Sequence, residues 1–155
     1  MTFQGVLNDK LPLIADVFDS ANKSENPVEV LQSAAKKDGR LHVIIGYLIN
    51  PKFKMGLPEG DPPYIPGDFP SGLSELDVLR LEKKMYILYQ SETRRMKKEE
   101  IFIQWLEQMT PTEAKILIAI KDKNLDSLYP NLTEKVLVDF MQWDFNEYSA
   151  LKAKG

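Results

Sequence analysis

Few side chains in this sequence have the types and spacing that catalysis requires. His42 is the only histidine, and it lies in the apolar run RLHVIIGYLIN. A zinc site needs three or four ligands and the chain has no cysteine, so His42 is expected to be a core or partner-bonded residue. A Ser–His–Asp arrangement around it stays open because triads form in space, but no G-x-S-x-G elbow accompanies it.

The carboxylates form no recognisable acid–base pair. Glu99 and Glu100 are adjacent, which places them on different parts of a helix surface, and Asp122 lies in KDKNLD, which lacks calcium-loop spacing. Gly56 and Gly60 do not match a phosphate-loop pattern, and the acids beside them would repel phosphate. We therefore expect no enzyme activity, no cofactor, no metal and no small-molecule substrate.

Positive charge concentrates between residues 80 and 98, in a chain whose formal net charge is −3. Met85, Tyr86 and Tyr89 lie among the cations. Basic residues beside aromatic rings can bind single-stranded nucleic acid by phosphate contact and stacking, although a solvated helix face is the commoner explanation. The candidate nucleic-acid contacts are Arg80, Lys83, Lys84, Arg94, Arg95, Lys97 and Lys98.

A second candidate surface includes the segment GLPEGDPPYIPGDFPSG, residues 56 to 72. Prolines at this density stiffen a chain, so we expect residues 51–72 to form an ordered strap across the core, with Tyr64 and Phe69 as anchors. Ile103 lies off the apolar stripe of its predicted helix and can belong to a partner patch. The candidate interaction surface is Tyr64, Ile65, Phe69 and Ile103.

The elements that position these residues are predicted to be helices. Asn26 followed by Pro27 marks the start of one of them. The run at 40–50 is apolar almost all round, and we favour a helix over a strand there. Apolar spacing and stop signals predict helices at about 10–21, within 24–39, 40–50 and 74–90, at 97–109 and 110–123, and from 133 onward, with a short helix or frayed tail at 144–155.

Capping residues mark further helix starts. Ser74 with Asp77 has capping-box spacing and predicts a helix of about four turns, whose end, from Met85, has some strand character. Thr110 with Glu113 forms a second box around Pro111, and Thr133 caps a later helix. The predicted fold is mainly α, a single compact domain of about six to seven helices with one long proline- and glycine-rich ordered loop.

Composition agrees with a single soluble domain. The chain has 155 residues, of which 43% are hydrophobic and 28% charged. Its longest nearly unbroken apolar run, VIIGYLI, is far shorter than the roughly 20 residues that span a bilayer, and no signal-peptide pattern opens the sequence. We therefore expect a cytoplasmic protein without a membrane partner.

Three pieces of the sequence together resemble a known family. They are LPEGDPPYIP at residues 57–66, IFIQWLEQM at 101–109, and IAIKDKNLDSLYPNLTEKVLVDF at 118–140. These pieces are similar to small uncharacterised proteins of T4-like tailed bacteriophages, including cyanophages. The shared elements are L-P-E-G-x-P-P-Y, K-D-K-x-L and Y-P-x-L-T. This family's last helix ends near a Phe-Pro, whereas the present chain continues to residue 155.

The resemblance implies a phage source and the host cytoplasm, and it assigns no catalytic residue. It favours a non-enzymatic protein-interaction module that acts on host or phage replication, transcription or assembly machinery. Two alternatives stay open: a nucleic-acid-binding accessory protein that uses residues 80–98, and a virion structural component.

Overall fold

The computed structural model describes residues 13–68, 74 and 76–154. Within these ranges all regular secondary structure is helical, with no strand, and one hydrophobic cluster runs through it, which confirms the predicted mainly α fold class. The α-helices are α1 (Ile14–Lys23), α2 (Pro27–Lys37), α3 (Arg40–Ile49), α4 (Arg95–Glu107), α5 (Pro111–Asp122), α6 (Glu134–Met141) and α7 (Phe145–Lys154). Three 3₁₀ helices span Leu79–Leu81, Met85–Tyr89 and Leu125–Ser127.

Most predicted helix starts are confirmed by their capping bonds. Asn26 accepts a hydrogen bond from the backbone amide of Glu29 at 3.3 Å, and Pro27 is the first residue of α2. Thr133 caps α6 by accepting from the Val136 amide at 3.3 Å. The first helix is predicted from about residue 10, but residues 10–12 lie outside the described ranges and α1 begins at Ile14.

The predicted four-turn helix after Ser74 is wrong. The structure has two separate 3₁₀ helices there, and Ser74 donates its hydroxyl to the Leu76 carbonyl while Asp77 accepts from the Arg80 amide. Between Leu76 and Leu81 the buried side chains occur at nearly successive positions, which a one-sided amphipathic helix cannot satisfy. The buried apolar residues of this segment are Leu76, Val78, Leu79, Leu81, Met85 and Leu88. Tertiary packing has therefore overridden local helix propensity.

His42 is expected from the sequence to be a core or partner-bonded residue, and because it is exposed the core alternative is wrong. The buried face of α3 is formed by Leu41, Ile44, Ile45, Leu48 and Ile49, and the helical period turns His42 away from it. Its ring lies 4.9 Å from the Phe140 ring, centroid to centroid.

Helix α5 lies at the centre of the core, as its almost uniformly apolar sequence predicts. Residues 116–120 are all buried, and α5 packs against α1, α3 and α4. Thr110 accepts a hydrogen bond from the Glu113 amide at 3.4 Å, which confirms the predicted cap. This central helix is the support on which the candidate site is built.

The Glu113 carboxylate bonds to other elements instead of returning to the start of its own helix. It is fully buried, and it accepts hydrogen bonds from the Ala15 amide at 2.9 Å and the Val78 amide at 3.0 Å. These bonds join α5 to the first turn of α1 and to the segment that precedes the first 3₁₀ helix. Burial raises the pKa of Glu113 to about 7, although the two backbone donors act in the opposite direction.

This raised pKa predicts a pH-dependent stability. Folded Glu113 holds its proton up to about pH 7, whereas the unfolded glutamate releases it near the ordinary glutamate pKa of 4.5. The contribution of Glu113 to the free energy of unfolding therefore falls as pH rises between these values, by at most about 3 kcal/mol. Glu113→Gln removes this term, so the stability difference between wild type and variant should shrink or reverse from pH 5 to pH 7.5. Urea unfolding at both values measures it, and a pH-independent difference would contradict the assignment.

Candidate interaction groove

The described part of the proline-rich segment, residues 51–68, is called the strap here. It contains no regular secondary structure apart from a turn at its start and bends near its centre. Gly56 and Gly60 have φ values of +73° and +91°, where side-chain-bearing residues are strained. A Cβ atom at Gly60 would meet nothing within 4 Å, so the backbone conformation, and not crowding, requires glycine there.

An ion pair at the end of α5 fixes the centre of the strap. The Lys121 ammonium donates to the Pro58 carbonyl at 2.7 Å and the Gly60 carbonyl at 3.0 Å, and it pairs with the neighbouring Asp122. Asp122 accepts from the Gly60 amide at 3.1 Å. The two side chains are only 2% and 7% exposed. We call this pair, with its bonds to the strap, the clamp.

Further bonds hold the strap on both sides of the clamp. Lys98 is buried and donates to the Met55 carbonyl at 3.3 Å, and Glu107 accepts from the Ile65 amide at 2.8 Å. Both partners belong to α4. The strap is therefore attached to α4 on both sides of its own centre, and the centre of the strap is attached to α5.

Lys123 secures the helix that leads into the strap. Its ammonium donates to the carbonyls of Tyr47, Leu48 and Asn50 at 2.9, 3.2 and 3.0 Å, which caps the end of α3. Burial lowers the pKa of Lys123 to about 8. The consecutive residues of the K-D-K element thus position both the strap and the helix before it.

A groove of about 260 Å³ lies between the strap and α4. Strap residues 57–63 form one wall, and Phe102 and Ile103 form much of the other. The Lys121 ammonium lies 5.9 Å from the centre of the Phe102 ring at the base of this arrangement. Three carboxylate side chains, those of Glu59, Asp61 and Glu99, are part of the lining.

The predicted interaction residues occupy different positions. Ile103 lines the groove, whereas Tyr64 is half-buried and packs against the core, and Ile65 is 77% exposed beyond the groove. Phe69 lies outside the described residues. The structure therefore brings Ile103 together with residues 57–63, which form the opposite wall of the groove. None of residues 57–63 is among the interaction residues predicted from the sequence.

The predicted nucleic-acid contacts are spread over several environments. Lys98 cannot contact a nucleic acid because it is buried against the strap. Three of the others are paired: Arg80 with Asp77 at 3.1 Å, Arg95 with Glu99 at 3.3 Å and Lys97 with Glu100 at 3.9 Å. Lys83, Lys84 and Arg94 are exposed. The positive field of the 80–98 segment is thus weaker than its sequence indicates.

Aromatic side chains form about half of the lining of a second indentation. Tyr47 stacks on Tyr89 with a centroid separation of 4.7 Å, and Phe53 meets Tyr47 edge-on at 5.0 Å. His42 and Trp143 complete much of the lining, which includes no Asp, Glu, Lys or Arg. With few polar groups to orient a ligand, this surface is the weaker candidate.

Comparison with known proteins places the chain in a family. A family described as being of unknown function, DUF6433, matches residues 14–127. The chain belongs to this family. No curated protein and no solved structure matches the chain.

The DUF6433 match differs in extent from the resemblance noted in the sequence. It includes α1 to α3, where no resemblance is apparent from the motifs, and it stops before the Y-P-x-L-T element. The strap, α4 and α5 all lie inside the matched range, so the groove and its clamp are built from the family region of the chain. Helices α6 and α7 lie outside it.

The described residues contain neither a metal-binding cluster nor a membrane-spanning helix. No cluster of three or more His, Asp or Glu residues is arranged to hold a metal ion within these ranges. No helix of the described chain is long and apolar enough to cross a membrane.

The clamp predicts a specific loss of stability. Lys121→Met removes one partner of a buried pair and leaves Asp122 and two carbonyls without their cation, so the free energy of unfolding should fall by about 3 kcal/mol. The control is Lys115→Met, an exposed lysine on the same helix, which should change it by less than about 0.5 kcal/mol. Urea denaturation measures both. Equal effects of the two substitutions would show that the clamp does not stabilise the fold.

Proposed function

We propose that this protein is a non-enzymatic protein-interaction module and that the groove between the strap and α4 is its contact surface. Its partner belongs to host or phage replication, transcription or assembly machinery in the host cytoplasm. The observation that carries the proposal is the clamp, because a buried ion pair is used to hold an exposed, proline-rich wall in one place. A preformed wall lowers the entropic cost of binding.

The size of the groove favours a protein side chain as its occupant. Pockets for small molecules and cofactors usually measure about 300–1,000 Å³, and this groove is smaller. Its apolar lining residues are Leu57, Pro58, Pro62, Pro63, Phe102 and Ile103. One large apolar side chain from a partner fits within it and leaves the rest of the partner on the surface.

The charge at the groove favours a basic partner. Glu59 and Asp61 are exposed on the strap and form no ion pair with any described residue. The one lysine in the lining, Lys121, is buried and already paired with Asp122. A segment with lysine or arginine beside its apolar anchor would therefore be attracted, whereas nucleic-acid phosphate would be repelled.

The environments of two groups with strongly shifted pKa values support a non-enzymatic role. Glu113 and Lys123 lie outside the groove lining, and each is bonded to backbone groups that it stabilises. Their shifted pKa values are explained by structural burial. No acid–base role in the groove is needed to account for them.

The two alternatives have less support. Nucleic-acid binding now depends mainly on Lys83, Lys84 and Arg94, because Lys98 is buried and the other candidates have acidic neighbours. A virion component would appear in mass spectra of purified particles, and the groove provides no specific argument for it.

A single substitution tests the proposed function. Ile103→Glu places a charge in the groove and should reduce capture of the partner by tagged protein in infected cells by about tenfold or more, as loss of a buried anchor does. Gln104→Glu adds the same charge to the next, exposed residue of α4 and should leave capture unchanged. Quantitative mass spectrometry of nuclease-treated eluates measures this.

The nuclease treatment separates the alternatives. Partners that survive nuclease and depend on Ile103 support the proposal. Partners that are lost with nuclease, or that are retained equally by Ile103→Glu and wild type, would overturn it. Circular dichroism of both variants establishes that they are folded.

A further inference from the structure

The first turn of α4 carries an exposed apolar side chain among cations. Met96 is 75% exposed, and Arg94, Arg95 and Lys97 around it are also exposed. A large apolar side chain in this position contributes nothing to the core of its own chain. Its surroundings have the chemistry that the groove favours, an apolar anchor flanked by positive charge. We call Met96 with these three cations the knob.

The knob and the groove lie on the same face of one helix. Met96 and Ile103 are seven residues apart, which is almost two full turns and a separation of about 10 Å along the helix axis. Glu99, which also lines the groove, lies between them and pairs with Arg95 at 3.3 Å. A convex basic feature therefore stands next to a concave acidic one on a single surface.

Such a surface is complementary to a second copy of itself. When two identical helices meet antiparallel about a two-fold axis, each residue near one end faces the opposite end of the partner helix. A knob and a groove placed at the two ends of one face then meet twice, once on each side of the axis. The contact is closed and does not extend into a filament.

We propose that two copies of this chain pair through α4, with Met96 of each inserted in the groove of the other. Arg94, Arg95 and Lys97 then approach Glu59 and Asp61 of the second copy, whose carboxylates have no ion-pair partner among the described residues of their own chain. The inference rests on the groove chemistry of the proposed function. It adds a form of regulation, because each copy of the dimer occupies the groove of the other and another partner can bind only when the two copies separate.

Sedimentation equilibrium of the full chain tests the pairing. Wild type should dimerise reversibly, more weakly as salt is raised, because the flanking contacts are ionic and exposed. Met96→Glu and Ile103→Glu should each weaken the dimer by about tenfold or more. Leu128→Glu also replaces an exposed apolar side chain, but outside α4, and should have no effect. A wild type that stays monomeric, or variants that dimerise as it does, would overturn the inference.

Mixing the two variants tests the reciprocal geometry. Met96→Glu keeps an intact groove, and Ile103→Glu keeps an intact knob, so an equimolar mixture should form heterodimers through one knob–groove contact although neither variant dimerises well alone. A mixture that associates no better than its components would contradict the proposed pairing.

Failure of the proposed dimer can be distinguished from failure of the proposed function. Met96→Glu should be monomeric and should still capture a protein partner in infected cells, because its groove is intact and unoccupied. A monomeric wild type whose capture depends on Ile103 would remove the pairing and keep the function. A dimer without any Ile103-dependent partner would keep the pairing and remove the function.

Discussion

The buried contact between Lys121, Asp122 and the backbone of the strap is the constraint on which the surface of this protein depends. Two charged side chains leave water at the end of α5, and each is compensated by the other and by backbone groups near Gly60. Breaking such a pair is costly, whereas keeping it is close to neutral in stability. The pair therefore serves mainly to specify where the strap lies. The groove exists because the strap is held at that distance from α4.

Three adjacent side chains at the end of α5 make three different contacts. Lys121 binds the strap carbonyls, Asp122 binds the Gly60 amide, and Lys123 caps α3. Lys123 has a left-handed backbone, with φ of 57°, which ends the helix and lets its side chain leave in a different direction. One helix terminus thus fixes both the strap and the helix that leads into it, and Glu113 at the opposite end of α5 fixes α1 and the 76–81 segment.

The sequence predicts much of this architecture where the signals are local. Caps such as Asn26 and Thr133, and the continuous apolar run of α5, depend on residues a few positions apart, and those predictions are confirmed. The 3₁₀ segment after Ser74 is missed because Val78 bonds to Glu113, a contact between residues distant in sequence. The clamp is missed for the same reason: Asp122 matches no recognisable motif, and its partner Gly60 is distant in sequence. The only signal available was that L-P-E-G and K-D-K occur together in the resemblance.

The amide proton of Gly60 provides the most direct test of the clamp. Hydrogen exchange followed by NMR on the native protein compares it with the amide of Asp61, for which the structure shows no acceptor among the described residues. If Asp122 holds the strap, the Gly60 amide should exchange at least about tenfold more slowly than that of Asp61. If both amides exchange at the rate of an unstructured peptide, the strap is not clamped and no preformed groove exists.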